Sequence, residues 1–239
     1  MHDHKQKRIS RRDILGALTA AGAAAVAGAC GSSSPTSPTA SGGTTTTTGG
    51  TTSGACVVSN SETEGPYPDR TGMINNAAFY RQDITEGKAG TPLTLDLTVV
   101  SVGSGCAAVA NATIEVWQCD AAGAYSEYSA PGTFLRGLQK TDASGKAAFN
   151  TIYPGWYTGR APHVHLEVFV NGSSVKTTQM AFPEAVSTAV YSQGVYASRG
   201  ATFTRNSTDN VFSDGTTNEM ATLTGSPSAG YTATLQIGI

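Results

Sequence analysis

The feature that most constrains this chain is a strict two-residue alternation. Between residues 93 and 102, Leu93, Leu95, Leu97 and Val99 alternate with Thr94, Asp96 and Thr98. Successive side chains of an extended strand point to opposite faces, so this pattern makes a strand with one buried and one wetted face. Stretches of similar character recur at 112–119, 146–152, 163–170 and 231–237, separated by Gly, Pro, Asn and Asp turn signals. No segment sustains a long helical period, and only 182–197 hints at a short helical excursion. Half-buried strands must cover their apolar faces with one another, so the expected fold class is all-β: a β-sandwich core with long functional loops.

The strands start late in the chain. Residues 1–30 carry Lys5, Lys7, Arg8, Arg11 and Arg12, then an Ala/Gly-rich run at 14–29 that is too short to span a bilayer. This is the form of an export signal, and Ser10-Arg11-Arg12-Asp13-Ile14-Leu15 resembles a twin-arginine signal, a receptor-read address. The expected location is therefore the periplasm or cell exterior. Ala27-Gly28-Ala29-Cys30 offers Cys30 for lipidation, the expected route to membrane attachment. From 31 to 54 every residue except Ala40 is Gly, Ser, Thr or Pro, which leaves almost nothing to bury and reads as a tether. Residues 55–239 form the expected folded domain.

Charged residues make up 13% of the chain and the net charge is −2, so the electrostatic footprint of a nucleic-acid binder is missing and a small substrate fits better. Thiols outside the cytoplasm tend to pair. With Cys30 lipidated, Cys56, Cys106 and Cys119 leave one thiol over. A Cys106–Cys119 staple between a loop and the next strand is the favoured pairing, with Cys56 as the rival partner. No CxxC spacing supports zinc. Nothing in the sequence fixes the oligomeric state.

The chemistry concentrates in 152–165, Ile-Tyr-Pro-Gly-Trp-Tyr-Thr-Gly-Arg-Ala-Pro-His-Val-His. Residues two apart on a strand share a face, so His163 and His165 can present both imidazoles to one metal while Val164 packs inward. Two histidines on a strand face can equally be solvated, and a tyrosine taken singly is usually a buried aromatic with its hydroxyl bonded. The combination is more pointed. Tyr157 follows a Pro-Gly turn six residues before His163, and Tyr125 sits on a second turn, Gly123-Ala124-Tyr125-Ser126. Two phenolates and two neutral imidazoles are a hard, anionic set that holds Fe(III) in preference to Fe(II).

These residues resemble the intradiol ring-cleavage dioxygenases, which include the catechol, hydroxyquinol and protocatechuate 3,4-dioxygenases. The likeness runs in order through Thr63-Glu64-Gly65-Pro66-Tyr67, then 114–126, 134–142, 152–165 and 178–183, and so covers nearly all of the chain after the tether. It implies a β-sandwich catalytic domain over 55–239, with Fe(III) held by Tyr125 and His163 as equatorial ligands and by Tyr157 and His165 as axial ones. An aromatic diol and O2 would be the substrates and a muconate-type diacid the product. Tyr157 would double as the base, Arg160 would stabilise negative charge on the substrate, and Gln179 would line the same pocket. Tyr67 is expected at the site mouth.

The sequence also departs from the family. Gln118 stands where relatives often have His, and is expected to alter hydrogen bonding around the ligands without touching the metal. The N-terminal helical region that dimerises cytosolic catechol enzymes has no counterpart, and the export signal resembles an extracellular branch. Substrate choice is expected to lie in loops such as 75–81 and 133–138. The competing expectation is an exported β-sandwich that binds a metal or an aromatic compound without turnover.

Overall fold

The computed structural model describes residues 56–239, so the leader, Cys30 and the whole tether lie outside the described residues. Two sheets face each other. In the first, β1 (Pro92–Ser101) is flanked by antiparallel β5 (Lys146–Ile152) and by parallel β9 (Gly230–Gly238). The short β2 (Ala107–Ala108) also pairs with β1, and β8 (Thr222–Ser226) pairs with β9. The second sheet is antiparallel, in the order β4 (Arg136–Lys140), β3 (Thr113–Trp117), β6 (His163–Val170), β7 (Ser173–Ala181). The protein is mostly β, with one short helix, α1 (Glu184–Tyr191), inside the segment read as a helical excursion.

The alternation that defines β1 builds the core. Leu93, Leu95, Leu97 and Val99 meet Ile114 and Val116 of β3 and Val164, Leu166 and Val168 of β6 between the sheets, all buried. Burying each such side chain stabilises the fold by roughly 1.5–3 kcal/mol relative to leaving it in water. Inward Val164 forces its neighbours His163 and His165 to the outer face of the second sheet.

That outer face is covered by the chain ahead of β1. Met73 and Phe79 pack on Leu138, and the Arg81 guanidinium donates to the carbonyls of Thr133 and Arg136. Nearer β7, the Glu62 amide donates to the Thr177 carbonyl. The histidines therefore lie in a layer between a sheet and its roof.

Four strands, β2, β4, β7 and β8, were not expected from the pattern. Arg136-Gly-Leu-Gln-Lys140 has no clean alternation, and Ser173 to Val175 of β7 is solvent-exposed. The favoured Cys106–Cys119 pairing is wrong. Cys56 bonds Cys106, with a Cα–Cα separation of 5.7 Å, and Cys119 is a free, buried thiol. After Cys106 the chain turns into β3, which carries Cys119 to the end of the sheet beside Trp117 and Tyr125. Burial there pushes its pKa up to about 12, so it is an inert thiol.

Candidate metal centre

Loop-on-loop packing delivers the two tyrosines. Tyr125 lies between β3 and β4, on a turn braced by Asp120, whose Oδ1 accepts the amides of Ala122 and Ala124. The β5–β6 loop docks on that turn through the Gly155 amide, which donates to the Asp120 carbonyl at 3.2 Å. A Cβ at Gly155 would overlap this carbonyl, so only glycine lets the two backbones close. Tyr157, two residues on, then meets Tyr125 edge to face, with ring centroids 5.8 Å apart.

The four side chains singled out in the sequence come together around His163 Nε2. His165 Nε2 lies 3.1 Å away, Tyr157 Oη 3.2 Å and Tyr125 Oη 3.4 Å. Two donors on one first-row metal ion, with bonds of about 2.0–2.1 Å, sit about 2.9–3.4 Å apart. The observed spacings fall in that range. His163 Nδ1 donates to the Ala161 carbonyl at 2.6 Å, which fixes the tautomer and leaves the Nε2 lone pair facing the other groups. One lone pair cannot accept from all of its neighbours at once, whereas a cation would satisfy the whole set.

The remaining walls hold these groups in place. The His165 ring stacks on the Trp117 indole at 4.7 Å, nearly parallel, and Gly65 abuts its Cε1 edge. Tyr67 stacks on Tyr125 at 4.7 Å and lies edge-on to Tyr157. The mouth tyrosine of the Gly-Pro-Tyr turn thus stands against both phenols.

Burial sets the protonation states. Desolvation, then the Arg160 charge, pushes His163 down to about 3, and desolvation with His163 and Arg160 puts His165 well below its ordinary value. Both imidazoles are neutral, as metal ligation requires. Desolvation also raises Tyr125 and Tyr157, with the Arg160 charge pulling against it at each. Without a cation the phenols therefore keep their protons.

Arg160 closes the group. Its Nη1 lies 3.3 Å from His163 Nε2, its Nη2 donates to Gln179 Oε1, and its Nε donates to the Asp209 carboxylate at 2.9 Å. Gln179 is oriented in turn by donating to the Thr63 carbonyl at 2.9 Å. Asp209, 2% exposed, also accepts the amides of Ala161 and Val211. Sequence reasoning missed Asp209, because it is separated from Arg160 by 49 residues and sits in no recognisable motif. Gln118 donates to the Ile152 carbonyl at 2.8 Å and accepts the Thr151 hydroxyl at 3.2 Å, so it links the two sheets and hydrogen-bonds none of the four side chains.

Known proteins now give this arrangement a class. The family model described as "Dioxygenase" matches residues 63–201, more than half of the chain and all of the cluster except Asp209. The chain belongs to the intradiol ring-cleavage dioxygenase family. An intradiol ring-cleavage dioxygenase from Tetranychus urticae superposes with a TM-score of 0.70 at 27% identity, covering 77% of this chain and 95% of that one. The dioxygenase domain of a dioxygenase carbohydrate-binding protein fusion from the cellulolytic bacterium Streptomyces sp. SirexAA-E gives 0.58 at 26% identity, covering 77% and 98%. The beta chain of protocatechuate 3,4-dioxygenase from Burkholderia cepacia is 36% identical over 121 residues, covering 42% of this chain and 51% of that protein. The chain thus spans about half the length of the curated relative it matches. The family typically uses Fe(III), and the neutral imidazoles, paired phenols and donor spacings found here fit such an ion.

Proposed function

We propose that this chain is an Fe(III)-dependent intradiol dioxygenase that inserts both atoms of O2 into a catechol-like diol and yields a muconate-type diacid. The observation that carries this reading is the convergence of Tyr125, Tyr157 and His165 on His163 Nε2, with the Arg160 guanidinium directed at the same point. Tyr125, Tyr157, His163 and His165 would hold the ion, which when bound would supply the Lewis acidity that ionises a chelated diol and makes its ring electron-rich enough to react with O2.

The protein's own groups divide the remaining work. Tyr157 is partly exposed whereas Tyr125 is 1% exposed beneath Tyr67, so Tyr157 is the phenol free to move. Its Oη would take a proton from a substrate hydroxyl, and the burial that raises its pKa makes its phenolate a strong base. Arg160, pinned by Asp209 and Gln179, would place a fixed cation where negative charge develops on the ring. Tyr67 would offer an aromatic wall to the diol. A passive binding module needs no cation clamped from two sides, which favours turnover.

The disulfide agrees with export to a compartment outside the reducing cytoplasm. The twin-arginine-like leader would direct that export, and lipidation of Cys30 would tether the domain to a membrane surface. The purified full-length protein should hold one iron per chain and be red-brown from tyrosinate-to-iron charge transfer, with a band that shifts on adding catechol. Oxygen uptake with catechol, protocatechuate and hydroxyquinol then identifies the substrate. Tyr157→Phe should keep iron but lose most ring cleavage, and Arg160→Ala should bind catechol but turn it over slowly. Absence of iron, or wild-type rates in both variants, overturns the proposal.

A further inference from the structure

A second group of metal-type ligands gathers beside Thr178 and Gln179 and includes none of the tyrosines and histidines. Glu62 belongs to the roof segment, and Asp214 and Glu219 to the long connection between α1 and β8. One oxygen from each carboxylate lies within 4.8 Å of the other two. Glu219 is completely buried. Its Oε1 accepts the Thr178 hydroxyl at 3.0 Å, but its buried Oε2 has no hydrogen-bond partner. A buried carboxylate oxygen left without a donor is costly and calls for a compensating group.

The nearby cations are engaged elsewhere. Arg160 is paired with Asp209, and the Lys176 ammonium donates to the Ser59 carbonyl and the Ser61 hydroxyl. Among the described residues no ion pair involves Glu62, Asp214 or Glu219. Burial, and then repulsion within the group, pushes Glu62 and Glu219 each up to about 7.

We propose that Glu62, Asp214 and Glu219 form a Ca2+ site, separate from the iron centre. A set made only of carboxylate oxygens selects a hard cation. Three protein carboxylates gathered at one point suit Ca2+, which takes most of its ligands from protein oxygens in a flexible shell, whereas Mg2+ keeps several waters and usually takes only one or two carboxylates.

Such an ion would join the roof to the loop that follows Asp209. Glu62 directly precedes Thr63, whose carbonyl orients Gln179, and Asn60 already donates to the Gly215 carbonyl at 2.8 Å. Ca2+ would thus brace both residues that hold Arg160. Asp214 is exposed, so binding would be reversible and tuned to the Ca2+ concentrations found outside cells.

The test uses full-length, iron-loaded protein freed of Ca2+ by chelating resin, titrated with CaCl2 or MgCl2 in a calorimeter and followed by thermal unfolding. The expected result is one Ca2+ per chain with a Kd on the order of 10⁻⁴–10⁻³ M. At about ten times that concentration the unfolding midpoint should rise by roughly 3–6 °C. Mg2+ should do much less. Asp214→Asn, a surface change, should abolish the Ca2+ response while iron content and the charge-transfer band stay unchanged. No heat and no midpoint shift at about 10 mM CaCl2, an equal response to Mg2+, or a full response in Asp214→Asn overturns the proposal.

Discussion

Adding a single methyl group at Gly65 should weaken the metal centre without altering any proposed ligand. Gly65 has φ of +72°, and a Cβ built there comes 2.9 Å from His165 Cε1, about half an ångström inside the 3.4 Å of ordinary contact. The backbone cost of an L-residue in this left-handed conformation is about 1–2 kcal/mol. The imidazole has little freedom to retreat, because one face is stacked on the fully buried Trp117. Cε1 is bonded to Nε2, so the push is transmitted to the donor nitrogen. Metal–ligand distances tolerate only about 0.2 Å, and disturbing the support of a ligating histidine typically lowers metal affinity by about 10–100-fold. Gly65→Ala should therefore unfold at a lower denaturant concentration, release iron to a competing chelator about 10–100 times more readily, and show a shifted charge-transfer band. Full iron retention with an unchanged band would refute the claim that Gly65 sets the position of His165, and with it the role of His165 as a ligand.

Further outcomes follow from other contacts. Asp209→Asn removes the charge facing Arg160; stability should fall by roughly 2–3 kcal/mol, since the guanidinium keeps Gln179, and kcat should fall about 100-fold with iron content unchanged. A variant with normal kcat would show that Arg160 needs no such anchor. Glu115 is pushed up to about 8, first by burial and then by Asp69 and Glu167. Its folded pKa exceeds its unfolded one, so the stability it contributes is present below about pH 4.5 and is lost as the pH rises towards 8. Glu115→Gln should therefore gain on the wild type, by on the order of 2 kcal/mol, between pH 5 and pH 8 in denaturant titrations; parallel curves would contradict this. Cys56→Ser with Cys106→Ser opens a loop of separation 50 and should cost about 4 kcal/mol by chain entropy, read as a lower denaturation midpoint. Cys119→Ser should leave the disulfide intact, as mass analysis after alkylation would show.

The β1 alternation and the His-Val-His pair were legible because the period of a strand is fixed by covalent geometry. Once Val164 is apolar and inward, His163 and His165 must share the outer face, whatever else the chain does. The helical excursion after Phe182 was visible for the same local reason. Strands β4 and β7 were not, since their faces lie partly at a sheet edge or in solvent, where burial writes no pattern into the sequence.

Sequence alone thus determined the sandwich, the shared face of the two histidines, and the residue types able to hold a hard metal ion. That Asp209 anchors Arg160, and that Cys56 rather than Cys119 bonds Cys106, were decided only by the tertiary structure. The physical reason is range. Backbone periodicity acts over a few residues, whereas these pairings join positions 49 or 50 residues apart and depend on how loops close on one another, as the Gly155 amide does on Asp120.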